Sequence, residues 1–137
     1  MTTIHVDIVS AEREIYSGLV DMVFAPAELG EVGIGSHHAP FISKMRPGEV
    51  RLKVNSHEEL PFFVSGGILE VQPHVVTVLA DTAVRAHDID EAAALEAKHS
   101  AEEALADRSG KIDYAKAQAE LAQAMQQLRL LEKYRRK

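Results

Sequence analysis

No proline lies beyond Pro73 in this 137-residue sequence, and only one of its eight glycines lies beyond Gly67. Residues 1–87 hold all five prolines and seven glycines, whereas the last fifty residues hold twelve alanines, one glycine and no proline. Proline and glycine punctuate short strands and break helices, and alanine is the best helix former. Two folding grammars therefore share one chain. The first, over 1–87, predicts an all-β sandwich or flattened barrel, and the second, over 88–137, an antiparallel two-helix hairpin.

Within the first part, Ile4, Val6 and Ile8 alternate with His5 and Asp7, the period of a half-buried strand. Strands are expected at 15–17 and 19–25, with a bend or bulge at Gly18 between them. Val50, Leu52 and Val54 alternate with Arg51, Lys53 and Asn55, and a further strand runs over 60–65. Strands over 68–72 and 75–80 turn through Pro73-His74. The latter is apolar on both faces, which places this hairpin in the interior of the sheet assembly. Between the early and middle strands, residues 30–40 are glycine-rich and poor in core residues, which reads as a long, mobile connection able to carry contacts.

From Asp88 the pattern turns helical. Asp88 with Glu91 resembles a capping box for a helix over about 89–107. Ala94, Ala97, Ala101 and Ala104 form a stripe of small side chains on it, and Ser109-Gly110 is a plausible stop. Asp113 caps a second helix over about 113–136, whose Tyr114, Leu121 and Leu128 recur every seven residues with Ala117, Ala124 and Leu131 interleaved. Alanine buries little area, so a hairpin sealed this way opens at modest cost. A movable arm and a static brace both fit.

Chemistry is hard to find. The chain has no cysteine, which excludes disulfides, thiol catalysis and Cys-ligated metals. His37-His38 point to opposite sides of an extended chain and make a poor chelate. Gly30 to Gly35 lack the Gly-Lys-Ser/Thr of a phosphate loop, and Ser65-Gly66-Gly67 lack the context of a nucleophile elbow. No acid, base and nucleophile assemble, so the chain reads as a non-enzyme with no cofactor and no metal. No stretch approaches the ~20 apolar residues of a membrane helix, and the N-terminus lacks a signal peptide.

The net charge of −6 argues against nucleic acid. Its distribution is more informative. Residues 114–137 carry six Lys/Arg against two Asp/Glu, while residues 1–113 carry nine against nineteen. The basic run Arg129, Lys133, Arg135, Arg136 and Lys137 either complements the helix C-terminal dipole or docks on an acidic partner.

Taken in order, Val6-Asp7-Ile8-Val9-Ser10, Ser17-Gly18, Gly30-Glu31-Val32-Gly33-Ile34, His38-Ala39-Pro40, Ser65-Gly66-Gly67-Ile68-Leu69-Glu70-Val71 and Ala80-Asp81-Thr82-Ala83 resemble the epsilon subunits of bacterial F-type ATP synthases. The resemblance runs nearly end to end. It implies a β-sandwich followed by two helices. It also implies a central-stalk (rotor) role, with contacts to the gamma subunit, the membrane rotor ring and the catalytic beta and alpha subunits, on the cytoplasmic face of the inner membrane. Such a subunit performs no chemistry. It couples proton-driven rotation to ATP synthesis, and its second helix can rise to inhibit ATP hydrolysis.

By the same resemblance, Glu31, Val32 and Gly33 match the ring-facing region and His38 a position near gamma. Arg129, Lys133, Arg135 and Arg136 become inhibitory contacts. There are two departures. Ser36-His37 stands where Pro-Gly is common, and Ala93 stands where nucleotide-binding members carry arginine, which argues against ATP binding. The alternative from another class is a freestanding β-domain whose helical hairpin serves as a chaperone or adaptor; a third is an enzyme subunit sharing its site with a partner.

Overall fold

A computed structural model describes residues 3–135 of the chain, without the side chain of Arg135. Ten strands occupy the first part: β1 Ile4–Val9, β2 Glu14–Val20, β3 Met22–Ala27, β4 Gly30–Ile34, β5 Phe41–Met45, β6 Gly48–Asn55, β7 Glu58–Val64, β8 Gly67–Val71, β9 Val75–Ala80 and β10 Ala83–Arg85. They form one sheet in the order β10-β7-β6-β3-β5-β8-β9-β1-β2, with β4 paired to β3 alone. Every pairing is antiparallel except β1 with β9, which run parallel from His5 opposite Val75 to Val9 opposite Leu79. A single core draws Ile8 and Val78 from one end of this path and Leu52 and Phe62 from the other. The sheet is therefore folded over on itself into a nearly closed sandwich. Burying each such side chain contributes about 1.5–3 kcal/mol.

Strict alternation positions the core. Ile4, Val6 and Ile8 are buried while His5, Asp7 and Val9 are only half-buried, and Val76, Val78 and Ala80 follow the same rule on β9. The 75–80 strand is interior by pairing, since it lies between β8 and β1. Its second face is not covered in the way its composition suggested: Leu79 is 46% exposed.

Three local expectations are corrected. There is no break at Gly18; β2 runs through it, and the register shifts instead between Ile8 and Val9 on β1. The glycine makes room for Tyr16, because a Cβ there would lie 3.2 Å from the phenol oxygen. The presumed mobile connection begins with a strand, β4, which pairs with β3 from Val23–Ile34 to Ala27–Gly30. Finally, Asp88 does not cap the first helix. It ends a 3-10 turn over Ala86–Asp88, and Asp90 is the cap.

The chain divides between Arg85 and Ala86 into two compact units. The second contains α1 (Glu91–Ala106) and α2 (Tyr114–Arg135), packed on each other. Asp90, extended at φ −82° and ψ 106°, accepts the Ala93 N–H at 3.1 Å. Asp113 accepts the Lys116 N–H at 3.1 Å, as its position predicts. The Tyr114 hydroxyl donates to the Asp107 carbonyl and ties the start of α2 to the end of α1. Buried Ala94 and Ala101 on α1 and Ala117 and Ala124 on α2 make a seam of small residues, with Leu121 and Leu128 half-buried beside it. Ala97 is exposed, and Leu130 rather than Leu131 is the buried leucine near the end of α2.

Candidate functional site

Two surfaces of the β-unit gather the residues singled out by sequence, and a third lies on its outward sheet face. The first is the β3–β4 hairpin. Its two-residue tip, Glu28-Leu29, leaves Leu29 98% exposed. Gly30, at φ +139°, takes a backbone conformation that other residues reach only under strain. Behind the tip lies a shallow, mainly apolar groove lined by Ala27, Val32, Phe41 and Ser43. Glu31 sits on the outer face of β4, its Oε1 3.3 Å from Arg51 Nη2. Val32 points the other way and packs against the core. Gly33 lies opposite Phe24 on β3, and a Cβ there would come within 3.1 Å of that ring.

The second surface is the loop over 35–40. His37 adopts φ +63°, in the left-handed region that favours glycine. The His37 N–H donates to the Pro73 carbonyl at 3.0 Å, and its ring meets that of His74 edge-on at 5.4 Å. His38 Nδ1–H donates to the Ala39 carbonyl at 2.8 Å, and the ring lies 5.5 Å from Phe41. The two histidines thus serve different contacts. Among the described residues no cluster suited to a metal ion occurs.

Sequence reasoning missed the third surface. The outward face of β1, β2, β5, β8 and β9 exposes Leu19, Ile42, Ile68 and Leu79, with Ile42 at 70%. Ile68 and Leu79 are cross-strand partners. On the same face His5, Asp7 and Ser17 converge: Ser17 Oγ donates to Asp7 Oδ1 at 2.6 Å, and His5 Nε2 approaches both groups at 3.0–3.1 Å. The trio is a Ser, His and Asp set without catalytic logic. Because the hydroxyl proton goes to the carboxylate, Nε2 must carry its own proton, and the imidazole cannot take that of Ser17. The hydroxyl bond, opposed in part by burial, holds the Asp7 carboxyl below the ordinary value of 3.8.

On the helical unit, Ala93 lies in the first turn of α1, where its N–H is engaged by Asp90 and its side chain is exposed. Arg129 and Lys133 are exposed one turn apart on α2, and Lys133 Nζ stands 5.1 Å from the Tyr134 ring centre. The Arg135 side chain and Arg136 lie outside the described residues. Among those described, no helix is long and apolar enough to cross a membrane.

Comparison with known proteins covers both units. Residues 3–86 match the family described as "ATP synthase, Delta/Epsilon chain, beta-sandwich domain", and residues 87–132 match "ATP synthase, Delta/Epsilon chain, long alpha-helix domain". The ATP synthase epsilon chain of Nitrosococcus oceani is 67% identical over 135 residues, covering 98% of this chain and 96% of the relative. ATP synthase epsilon chain 1 of Methylococcus capsulatus is 66% identical over 134 residues, with the same two coverages. Among solved structures, a chain of the Euglena gracilis mitochondrial ATP synthase aligns with a TM-score of 0.84 at 17% identity, over 96% of this chain and 82% of that one. At that identity the likeness speaks for the fold.

Proposed function

Because this chain belongs to the ATP synthase delta/epsilon-chain family, with the epsilon chains as its near relatives, we propose that it is a central-stalk rotor subunit. It performs no chemistry. It couples rotation of a proton-driven membrane ring to ATP synthesis in a catalytic head of alpha and beta subunits, and it restrains ATP hydrolysis through its helices. One observation carries this reading: alignments about two-thirds identical overall span sandwich and hairpin together, and each unit matches a family domain, so neither is an unrelated addition. The protein then sits on the cytoplasmic face of the bacterial inner membrane, held there by partners.

The contacts proposed here follow the family resemblance. The β3–β4 hairpin with Glu31, Val32 and Gly33 faces the ring, and His38 stands near gamma. The outward apolar face with Ile42, Ile68 and Leu79 is the kind of patch a protein partner covers. Arg129, Lys133, Arg135 and Arg136 supply a basic end for an acidic surface of the head. Single exposed ion pairs contribute only about 0–1 kcal/mol, so these act together. Each ~1.4 kcal/mol of differential affinity shifts an open–closed ratio about tenfold.

The test is made in the assembled complex. Tagged full-length protein should co-purify with gamma and the catalytic subunits. Alanine at Arg129, Lys133, Arg135 and Arg136 should raise ATP hydrolysis while leaving assembly and proton-driven synthesis intact, and deletion of residues 114–137 should do at least as much. Wild-type hydrolysis by both variants would reduce the basic end to a favourable helix terminus.

A further inference from the structure

Arg51 on β6 meets four groups from four strands. Its guanidinium lies 4.4 Å above the centre of the Phe24 ring on β3. Nη2 is 3.3 Å from Glu31 on β4, Nη1 is 3.5 Å from Glu59 on β7, and Nε is 3.6 Å from Glu49 on its own strand. The Arg51 side chain is 21% exposed, against 54% for Glu31. Phe24 is the cross-strand partner of both Arg51 and Gly33. A Cβ at Gly33 would crowd that ring at 3.1 Å and the Met22 methyl at 3.3 Å, so these side chains would have to give way slightly. The β4 backbone at Gly33 and the Arg51 guanidinium therefore both pack on the Phe24 ring, and glycine leaves the first contact uncrowded.

β4 needs such a tie. It pairs with β3 and with no other strand, so its outer edge is open and its position rests on one ladder. The Arg51 fork reaches past β3 and takes hold of the Glu31 carboxylate. Planar guanidinium both stacks on a ring and offers directed donors, a combination that lysine lacks.

We propose that Arg51 is a positioning residue: it clamps the β3–β4 hairpin through Phe24 and Glu31, and so fixes where Glu31 and Leu29 stand for a partner. Gly33 acts on the same device by admitting Phe24, rather than by touching the partner itself. The proposal rests on the reading of this hairpin as a partner-facing surface.

Two arms test it. In the isolated full-length subunit, amide hydrogen exchange is followed for residues 30–34 and for β8 and β9 as reference. Arg51→Gln should speed exchange of the β4 amides by roughly three- to ten-fold, the scale of one ion pair plus one cation–ring contact. The reference strands should not change. Arg51→Lys, which keeps the charge, should show most of the same effect. Unchanged β4 exchange, or an equal rise throughout the sheet, overturns the proposal. In the assembled complex, Arg51→Gln and Glu31→Gln should each lower protons pumped per ATP hydrolysed, and the double variant should be no worse than Arg51→Gln alone. Additive losses in the double variant overturn the proposal. Faster β4 exchange with pumping untouched in all three variants supports the clamp and sinks the partner-facing reading of the hairpin.

Discussion

Gly67 opens β8 with φ +136°, and a Cβ there would lie 2.1 Å from the Leu79 carbonyl oxygen and 2.9 Å from the Ala80 Cα. Both neighbours are backbone of β9, so no rotamer change relieves the contact. Gly30 provides the control: its φ is +139°, yet nothing lies within 4 Å of its virtual Cβ. Gly30→Ala therefore carries backbone strain alone, about 1–3 kcal/mol, offset by roughly 0.4–1 kcal/mol from a stiffer unfolded chain. Gly67→Ala carries the same strain and must also push β9 away from β8, where Gly67 pairs with Ala80. Losing two or three ladder hydrogen bonds at about 0.5–1.5 kcal/mol each adds ~1–4 kcal/mol. The sum is a large share of the ~5–15 kcal/mol that holds a domain together. The chain has no tryptophan and three tyrosines, of which only Tyr16 lies in the β-unit. With Tyr114→Phe and Tyr134→Phe as background, urea unfolding followed by tyrosine fluorescence reports on the sandwich alone. If Gly67→Ala costs no more than Gly30→Ala, the close approach is absorbed and the steric argument fails.

Ser17→Ala should raise the Asp7 pKa toward 3.8, since the Ser17 hydroxyl is the main group holding it down. A depressed folded-state pKa stabilises above the unfolded value and is lost as pH falls through the folded one. The variant should thus be less stable at neutral pH, with the gap closing in acid; a carboxyl titration by NMR that shows no rise refutes the assignment. Ala93 offers neither charge nor donor to a phosphate, so calorimetric titration of the full chain with ATP should show negligible binding, and micromolar affinity would overturn that expectation. Residues 1–87 expressed alone should melt cooperatively and still bind gamma, whereas a molten fragment would mean that the helices complete the core.

Alternation made most of the sandwich legible, because one face of each strand had to be apolar. It failed at β4 for a physical reason. Val32 and Ile34 do alternate with Glu31 and Gly33, but three glycines within residues 30–35 mask the pattern. One of them, Gly33, lies against Phe24 from the neighbouring strand, a tertiary contact that no local rule contains. The cap of α1 was ambiguous because Asp88 and Asp90 both precede the helix. The structure favours Asp90, and Ile89 before it is buried. Apolar residues on both faces of β9 predict two covered faces. Leu79 and its neighbour Ile68 are instead displayed outward. Alternation alone makes Arg51 the polar half of its strand. Its partners come from β3, β4 and β7, and only pairing brings them together.

The parallel seam between β1 and β9 sets a timetable for the ribosome. The first strand to emerge pairs early with β2 but finds its parallel partner only after β9 ends at Ala80, 71 residues after Val9. At ~5–20 residues per second that is roughly 4–14 s, during which Ile4, Val6 and Ile8 have β2 beside them and no ninth strand. Pairing over such a span is also intrinsically slow once the chain is free. The seam between β1 and β9 is therefore among the last pairings available to the nascent chain.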